Sequence, residues 1–312
     1  MTSPPRLHIG SWPTPVVRME RVSNELGADI WVKLEESCGA WGGNKVRKLE
    51  YILAAARADG IGKLVSYGVG TSNWTAALAH HATAGELGVT VGLAGEIPDS
   101  YRPLYEHPGV TVVHSRMVNA LPFVSAAARI RAGRAARSIP MGGTGPGDVG
   151  SLHVGTEIAT HIRLGEMPEP AAVYLPAGTT GTSAGVAAGL ALQRRHVPVV
   201  AVKVAPWPYG TPARVERHAR ALLGGEGRGD AAESLRIAGD DRFLSPGYAR
   251  ANPASLEAID IARRDDLELD GTYAAKAFAA LIDRARTGRG ETLLFIHTSP
   301  GPPPPSRGLA PG

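Results

Sequence analysis

A lysine at the point where a glycine turn leads into a helix is the first candidate for chemistry in this sequence. Residues 42–50 read Gly-Gly-Asn-Lys-Val-Arg-Lys-Leu-Glu. The two glycines allow tight backbone geometry and close approach of a ligand, and Asn44 is a favourable helix cap. Apolar residues then recur at helical spacing, at Val46, Leu49 and Leu53, so a helix is predicted to begin here.

Lys45 is thereby placed at the positive end of a helix dipole, which should lower the pKa of its ammonium group. An amine that loses its proton readily attacks carbonyl groups, and the best-known use of such an amine in enzymes is a Schiff base with pyridoxal phosphate. A surface lysine in a loop is an equally good interpretation of this segment taken alone.

A second candidate is a loop rich in glycine and threonine that follows an apolar strand and opens a helix. Backbone N–H groups at a helix N-terminus, together with threonine hydroxyls, suit a phosphate monoester. The loop has neither the Gly-Lys-Ser/Thr of a nucleotide P-loop nor a dinucleotide pattern, so a nucleotide-binding protein is disfavoured. A tight turn with capping threonines is the alternative. The loop residues are Gly178, Thr179, Thr180, Gly181 and Thr182.

Several further polar residues stand next to turns rather than in apolar stripes. Ser72 and Asn73 precede a helix and could bind a carboxylate or a phenolic oxygen, although a simple helix cap is the stronger interpretation by itself. Tyr248 and Tyr273 could move a proton. Tyrosines placed this way more often pack their rings against the protein and leave the hydroxyl exposed to solvent. Thr298 ends the last strand, where a hydroxyl could meet a ring nitrogen. The histidines interpreted as packing or surface residues are His80, His81, His153, His161 and His218.

Composition excludes several classes of protein. The 312 residues are 43% hydrophobic and 20% charged, which is ordinary for a globular chain. The net charge of +4 is dispersed and aromatics make up only 5%, so nucleic-acid binding is not expected. Cys38 is the only cysteine, which excludes an intrachain disulfide and a cysteine-based metal site. No signal core or membrane-length apolar run is found, so a cytoplasmic protein without membrane contact is expected.

The pattern of elements is an alternation of strands and helices, which predicts an α/β fold with parallel sheets. Ligand sites in such folds lie at the carboxyl ends of strands, where the three glycine- or hydroxyl-rich loops fall. The predicted strands are 30–34, 63–67, 89–93, 110–113, one near 139, 172–175, 197–204 and 292–297. The predicted helices run from the Lys45 turn to about 59, 74–87, 118–131, 150–164, 182–194, 211–223, 253–264 and 273–286.

Taken in order, these segments resemble the 1-aminocyclopropane-1-carboxylate deaminase / D-cysteine desulfhydrase family of tryptophan-synthase-like, fold type II pyridoxal-phosphate enzymes. The similarity runs from Pro13 to Thr298. It implies a two-domain enzyme with a larger cofactor-binding domain at 1–50 and 161–312 and a smaller inserted α/β domain at 51–160. A proline-rich, disordered tail is expected at 302–312, and a homodimer follows from the resemblance alone.

The resemblance implies a role for each matching residue. Lys45 would carry pyridoxal 5'-phosphate, and Asn73 would contact the ring hydroxyl of this cofactor. Thr298 would lie near its pyridine nitrogen, leaving that nitrogen largely unprotonated. Ser72 would hold the carboxylate of a small amino-acid substrate. The phosphate would be held by Gly178, Thr179, Thr180, Gly181 and Thr182 with Lys48, and the substrate would be flanked by Tyr248 and Tyr273.

Departures from the family pattern leave the substrate open. Ala274 follows the second tyrosine where the deaminase type has glutamate and the desulfhydrase type threonine. Trp74 stands where a smaller polar residue is usual, which would reshape the pocket, and the chain closes with His297-Thr298-Ser299-Pro300. Three hypotheses follow: a lyase that releases a 2-oxo acid and ammonia from D-cysteine or 1-aminocyclopropane-1-carboxylate, a β- or γ-replacement enzyme, and a catalytically silent cofactor-binding homologue.

Overall fold

Helices and strands alternate along the chain in the order that the sequence predicts. The computed structural model describes residues 4–145, 147–206, 209–247 and 250–299. The strands are β1 (Val16–Arg18), β2 (Asp29–Leu34), β3 (Lys63–Val69), β4 (Gly88–Ala94), β5 (Val110–Ser115), β6 (Arg137–Ser138), β7 (Ala172–Ala177), β8 (Val199–Lys203), β9 (Ile237–Asp240) and β10 (Thr292–His297). The helices are α1 (Glu20–Leu26), α2 (Asn44–Ala58), α3 (Asn73–Ala84), α4 (Arg102–Tyr105), α5 (Leu121–Ala132), α6 (Asp148–Leu164), α7 (Gly181–Leu192), α8 (Pro212–Gly225), α9 (Pro253–Ala262) and α10 (Ala274–Thr287). No helix in the described part of the chain has the length and apolar character needed to cross a bilayer.

The first of two compact units comprises residues 4–9 and Leu49–Gly143. Its sheet has the strand order β5-β4-β3-β6 and all its pairs are parallel. Trp74 of α3 fills the interior of this unit with only 2% of its surface exposed, and its indole N–H donates to Ser66 Oγ at 2.8 Å. A Cβ on Gly143 would lie 2.8 Å from this ring, so the indole occupies all the available space. Trp74 therefore acts as a core residue of this unit.

The second unit comprises Gly10–Lys48 and the described residues from Thr144 onward. Its sheet has the order β1-β2-β10-β7-β8-β9, in which β1 pairs antiparallel with β2 and every other pair is parallel. His297 at the end of β10 is level with Leu34 at the end of β2. The carboxyl ends of β2, β10 and β7 therefore meet at one edge of the sheet.

The core of the second unit covers both faces of its sheet. Along β10, Leu293 and Phe295 join one apolar cluster with α1, α9 and α10, whereas Leu294 and Ile296 join a second cluster with α6 and α7. Because both faces are buried, the strand is an unbroken apolar run rather than an alternating one. Helices α6 and α7 touch backbone to backbone, since a Cβ on Gly189 would lie 2.1 Å from Leu152 O.

The predicted α/β fold with parallel sheets is confirmed, and the eight predicted strands are all present with ends shifted by a few residues. Strands β1 and β9 and helices α1 and α4 are additions that the sequence pattern does not predict. β1 has three residues, and β9 reads Ile-Ala-Gly-Asp, so neither is long enough to show a strand pattern. Helix α1 has only seven residues and ends at Gly27 in a left-handed conformation.

The division into units differs in position from the predicted domains. The predicted smaller domain ends at residue 160, which lies inside α6 (Asp148–Leu164). The first compact unit instead begins its long segment after Lys48 and ends it at Gly143. The assignment of the cofactor-binding domain to 1–50 and 161–312 stays a prediction. The predicted tail at 302–312 lies outside the described residues.

Candidate active site

The lysine turn is fixed by the carboxyl end of β10. Gly43 has φ +107°, and a Cβ at this position would lie 2.4 Å from Thr298 O, so both the backbone angle and the space demand glycine. The next residue, Asn44, donates its backbone N–H to the same carbonyl at 2.9 Å. Helix α2 begins at Asn44, and Lys45 therefore lies in its first turn, next to the Thr298 backbone.

Lys45 is a lysine with a strongly depressed pKa. Burial and the positive charge of Lys48, opposed by Asp148, together lower the pKa of Lys45 to about 7. The direction of the shift confirms the prediction from the sequence, but its main cause is desolvation rather than the helix dipole. A large fraction of Lys45 is consequently a neutral, nucleophilic amine at neutral pH.

The glycine- and threonine-rich loop lies beside Lys48. Strand β7 ends at Ala177, and α7 begins at Gly181, so the amides of the helix N-terminus face the end of the sheet. A Cβ on Gly181 would lie 1.9 Å from Asp148 Oδ1 and 2.6 Å from Lys48 Nζ, so only glycine fits against this ion pair. Lys48 is fully buried, and its Nζ is 2.7 Å from Asp148 Oδ1.

Asn44 connects the lysine turn with this loop. Its side-chain Nδ2 donates to Thr182 Oγ1 at 2.8 Å. The first turns of α2 and α7 are thus held together by a buried hydrogen bond, and this gives the Asn44 side chain a tertiary role that its expected function as a local cap does not suggest. Lys45, Lys48 and the loop around Gly181 consequently belong to one cluster in the second unit.

Thr180 adopts an unusual backbone conformation in this loop. Its φ is +73°, in the left-handed region that β-branched residues rarely occupy. Its Oγ1 donates to Thr179 O at 2.6 Å and lies 3.0 Å from His218 Nδ1. His218 lies on α8, 38 positions further along the chain, so its helical pattern indicates only a packing or surface residue and carries no signal of this contact.

Tyr273 is positioned by a buried carboxylate. Asp270 accepts backbone N–H bonds from Thr272, Tyr273 and Ala274 at 2.9, 2.7 and 3.1 Å, which starts helix α10. Burial raises the pKa of Asp270 despite these donors. The ring carbon Cε1 of Tyr273 lies 4.0 Å from where a Cβ on Gly178 would be, so Tyr273 borders the glycine- and threonine-rich loop. Tyr248 lies outside the described residues.

The segment before Tyr248 is bound by side chains from two helices. Lys276 of α10 is fully buried, and its Nζ donates to the carbonyls of Leu244 and Gly247 at 3.0 and 2.8 Å. Asn252, the N-cap of α9, donates to the carbonyls of Phe243 and Ser245 at 3.0 and 2.8 Å. Four carbonyls of residues 243–247 therefore have a side-chain donor.

Ser72 and Asn73 lie in the first unit, at the start of α3. Ser72 is the N-cap of this helix, and its Oγ accepts from Thr75 N at 3.5 Å. Asn73 Oδ1 accepts a hydrogen bond from the hydroxyl of Tyr101, which is 1% exposed. The structure thus gives Ser72 the capping geometry that the sequence favours for it.

A buried network of charges surrounds Arg47, two residues after Lys45. The guanidinium bonds both oxygens of Glu35 at 2.6 and 2.9 Å and both oxygens of Glu157 at 2.7 Å. Lys33 Nζ lies 2.8 Å from Glu157 Oε2, and the Trp12 ring lies 3.8 Å from the guanidinium carbon. The network ties β2, α2 and α6 together, and no local pattern in the sequence predicts it.

Cys38 should be unreactive in the folded protein. The thiol is 2% exposed, Gly43 N donates to its Sγ at 3.3 Å, and burial raises the pKa of Cys38 to about 11. Because only the thiolate reacts, modification by a disulfide reagent at pH 8 should be at least about a hundredfold slower than in the urea-unfolded protein. Comparable rates in the two states would contradict this environment.

Within the described ranges, no three His, Cys, Asp or Glu side chains are grouped so as to hold a metal ion. The fold and the site define an α/β protein with a nucleophilic lysine close to a helix N-terminus and a buried ammonium group. The chain matches the family described as pyridoxal-phosphate dependent enzyme over residues 7–299. It belongs to this family.

Individual relatives agree with this membership. The D-cysteine desulfhydrase of Salmonella choleraesuis (strain SC-B67) is 31% identical, with 97% of this chain and 96% of that protein covered. The solved structure of an ACC deaminase homologue is 26% identical, with a TM-score of 0.78 and coverage of 95% of this chain and 92% of that one. The L-serine ammonia-lyase from Rhizomucor miehei is 16% identical with a TM-score of 0.66, which shows a shared fold alone. The resemblance found in the sequence, the enzyme class and the cofactor are confirmed.

The residues present fit this cofactor. Pyridoxal phosphate carries an aldehyde, which needs an unprotonated amine, and a phosphate monoester, which needs amide donors and a cation. Lys45 supplies the first with its pKa of about 7. The amide donors for the phosphate come from the N-terminus of α7, and the cation is the buried ammonium of Lys48. The two lie close together, because a Cβ on Gly181 would be 2.6 Å from Lys48 Nζ.

Proposed function

We propose that this protein is a pyridoxal-phosphate-dependent lyase or deaminase acting on a small amino acid of the D-cysteine or 1-aminocyclopropane-1-carboxylate type. With water consumed, the reaction would release a 2-oxo acid and ammonia, together with sulfide as the leaving group when the substrate is D-cysteine. The observation that carries the proposal is a lysine with a pKa of about 7 in the same buried cluster as the Lys48–Asp148 pair and the α7 N-terminus. The names of the D-cysteine desulfhydrase and the ACC deaminase homologue support the choice of substrates.

The residues that we assign to the cofactor follow from this cluster and from the family motif. Lys45 Nζ would hold the cofactor covalently, Thr298 would serve its pyridine nitrogen, and Asn73 would serve its ring hydroxyl. The phosphate is held by Lys48 with Gly178, Thr179, Thr180, Gly181 and Thr182. When bound, the cofactor supplies an electron sink for charge that develops at the substrate α-carbon.

The chain's own residues supply binding and proton transfer. The free amine of Lys45 would act as a base, because its pKa lies near the working pH, which is the condition for efficient proton transfer. Ser72 binds the substrate carboxylate. Tyr273, held by the Asp270 turn, and Tyr248 flank the substrate and assist the leaving group. Alignment of the breaking bond by these contacts accounts for most of the protein's contribution.

A replacement reaction is the second candidate, and Ala274 favours it. This residue is fully buried and apolar where the family's deaminase and desulfhydrase types have glutamate and threonine. A methyl group cannot move a proton or bind a polar leaving group, so this position offers no help to either of those two eliminations. In a replacement enzyme, product would form only when a second nucleophile is supplied.

The location and assembly of the protein are part of the proposal, and the assembly rests on the resemblance alone. We place it in the cytoplasm as a homodimer, with no nucleic-acid or membrane partner. Size-exclusion chromatography with light scattering of the holoprotein tests the dimer, because the chain mass of 32.5 kDa would double.

The function is tested by product formation from two substrates offered separately. The holoprotein is mixed with D-cysteine or with 1-aminocyclopropane-1-carboxylate, and the 2-oxo acid and ammonia are measured together. Release of both products from either compound supports the lyase and selects its substrate. Product that appears only with an added thiol or amine nucleophile supports replacement. A spectral change of the bound cofactor without turnover of any amino acid would instead identify a silent homologue.

The pH dependence of carbonyl capture should follow the Lys45 pKa. Below pH 7 the amine is mostly protonated and unreactive, and above pH 7 it is mostly neutral, so the rate should rise between about pH 6 and 8 and then level off. The rate at which the apoprotein captures pyridoxal, which lacks the titrating phosphate, is measured by absorbance. Lys45→Ala supplies the background from other lysines. A rate that climbs steadily to pH 10 would show an ordinary lysine.

A further inference from the structure

Thr180 is a strained residue at the mouth of the phosphate cradle, the loop of residues 178–182. It is the residue before α7 and has φ +73° and ψ −12°. A β-branched side chain is unfavourable in this left-handed conformation, which glycine adopts without cost. Such a conformation persists only when surrounding contacts enforce it. Thr180 has a backbone bond, from Ala184 N to its carbonyl at 2.9 Å, and it has the contacts of its side chain.

The hydroxyl of Thr180 is engaged on both sides. Its one hydrogen is donated to Thr179 O at 2.6 Å. With that hydrogen in use, the 3.0 Å contact with His218 Nδ1 is a hydrogen bond in the tautomer whose imidazole Nδ1–H donates, with Thr180 Oγ1 as the acceptor. In that tautomer the hydrogen bonds run from His218 to Thr180 and from Thr180 to Thr179.

The position of His218 is set by the packing of its helix. Val215 and Ala219, on either side of it along α8, are fully buried in a cluster with Ala184 and Ala188 of α7. The packing of α7 against α8 therefore fixes the backbone of His218 beside the loop. Burial lowers the pKa of His218, as do Arg214, Arg217 and Lys48, while Asp148 opposes them. The neutral ring carries this Nδ1–H in one of its two tautomers.

We infer that His218 is a positioning residue of the phosphate cradle, which holds Thr180 in its left-handed conformation so that the loop and the first amides of α7 are preset to receive the phosphate. This inference rests on the proposed function, because the phosphate site is part of that proposal. His218 acts through Thr180, and no contact between His218 and the cofactor is needed.

The test compares binding of pyridoxal 5'-phosphate and pyridoxal to the apoprotein by absorbance titration. His218→Leu should weaken the binding of pyridoxal 5'-phosphate about tenfold and leave pyridoxal within about twofold, since only the phosphate senses the loop. His218→Asn should retain most of the affinity, because its amide nitrogen can replace Nδ1–H. Equal weakening of both ligands, or no rescue by asparagine, would overturn the inference.

A second variant shows whether His218 works through Thr180. Glycine adopts φ +73° without strain, so in a Thr180→Gly background His218→Leu should have no further effect on phosphate selectivity. A full additional loss in the double variant would overturn the proposed route. Circular dichroism and thermal melting of each apoprotein confirm that the variants are folded before binding is compared.

Failure of the phosphate site itself has a separate signature. Gly181→Ala would drive a Cβ to 1.9 Å from Asp148 Oδ1, so it should abolish the preference for pyridoxal 5'-phosphate over pyridoxal. A wild-type protein without that preference, or a Gly181→Ala protein that keeps it, would overturn the phosphate site and the inference together. Loss of the preference in Gly181→Ala but not in His218→Leu would overturn the inference alone.

Discussion

Replacing Lys45 with alanine should remove the covalent attachment of the cofactor and lower kcat by at least about a thousandfold. The amine that is lost is the one whose pKa burial lowers to about 7. Lys48 cannot take its place, since its ammonium is fully buried and held 2.7 Å from Asp148 Oδ1. To measure the attachment, pyridoxal phosphate is added, the excess is removed, and the visible absorption of the protein is recorded. The rate of product release gives kcat.

Two matched variants separate the chemistry of Lys45 from its charge. Lys45→Arg keeps a cation that stays protonated at any working pH, and it should fail as completely as alanine. Lys63→Ala removes a half-buried lysine from strand β3 of the first unit and should leave absorption and turnover unchanged. Retention of a lysine-bound absorption band in Lys45→Ala would overturn the assignment of this residue and the function built on it.

Replacing Arg47 with methionine should lower the free energy of unfolding by about 3–5 kcal/mol, a large share of the stability of a typical protein. The guanidinium holds four bonds of 2.6–2.9 Å to Glu35 and Glu157, of which Glu35 is fully buried. Without it, the two carboxylates are left close together in a site shielded from water. Urea unfolding of the apoprotein, followed by circular dichroism, measures the change.

The matched control for Arg47 is an arginine whose ion pair is exposed. Arg220 Nη2 lies 2.8 Å from Glu216 Oε1, and about half of each side chain is exposed to solvent. Arg220→Met should change stability by less than about 1 kcal/mol, as is usual for surface pairs. An equal loss in both variants would show that burial of the network around Arg47 does not matter.

Lowering the pH should shrink the difference between wild type and Arg47→Met. Burial raises the pKa of Glu157, but Arg47 and Lys33 outweigh it and hold this pKa below its usual value. The stability from this carboxylate is therefore present above its unfolded-state pKa, near 4.5, and is lost as the pH falls through the lower folded-state value. The variant lacks most of this shift and should lose less on acidification. A constant difference between pH 7 and 3 would contradict the coupling.

Much of the fold and the lysine motif are predictable from the sequence because their signals are local. The strand ending at His297 is an unbroken apolar run, which a strand buried on both faces requires. The lysine turn is encoded by adjacent residues, of which Gly43 is required by its φ of +107° and its contact with Thr298. Short elements such as β1 have too few residues to carry a period.

The features that the sequence does not reveal depend on residues far apart in the chain. Glu157 is 110 positions from Arg47, and His218 is 38 positions from Thr180, so no spacing rule links either pair. The low pKa of Lys45 is predictable in direction only, since its burial and the approach of Asp148 arise from tertiary packing. The position of the Trp74 side chain also depends on tertiary packing. Its indole lies inside the first unit and donates a hydrogen bond to Ser66.

The carbonyls that Lys276 and Asn252 hold in residues 243–247 bear on how such an enzyme can change during evolution. A buried ammonium and a side-chain amide bind this segment at four points, so adding or deleting a residue would leave carbonyls without donors and a charge without partners. Substitution of side chains at this segment costs far less than a change in its length. New substrate preferences in proteins built this way should therefore arise by exchange of residues along a loop of constant length, and natural variants of this chain should differ in residue type there but not in residue number.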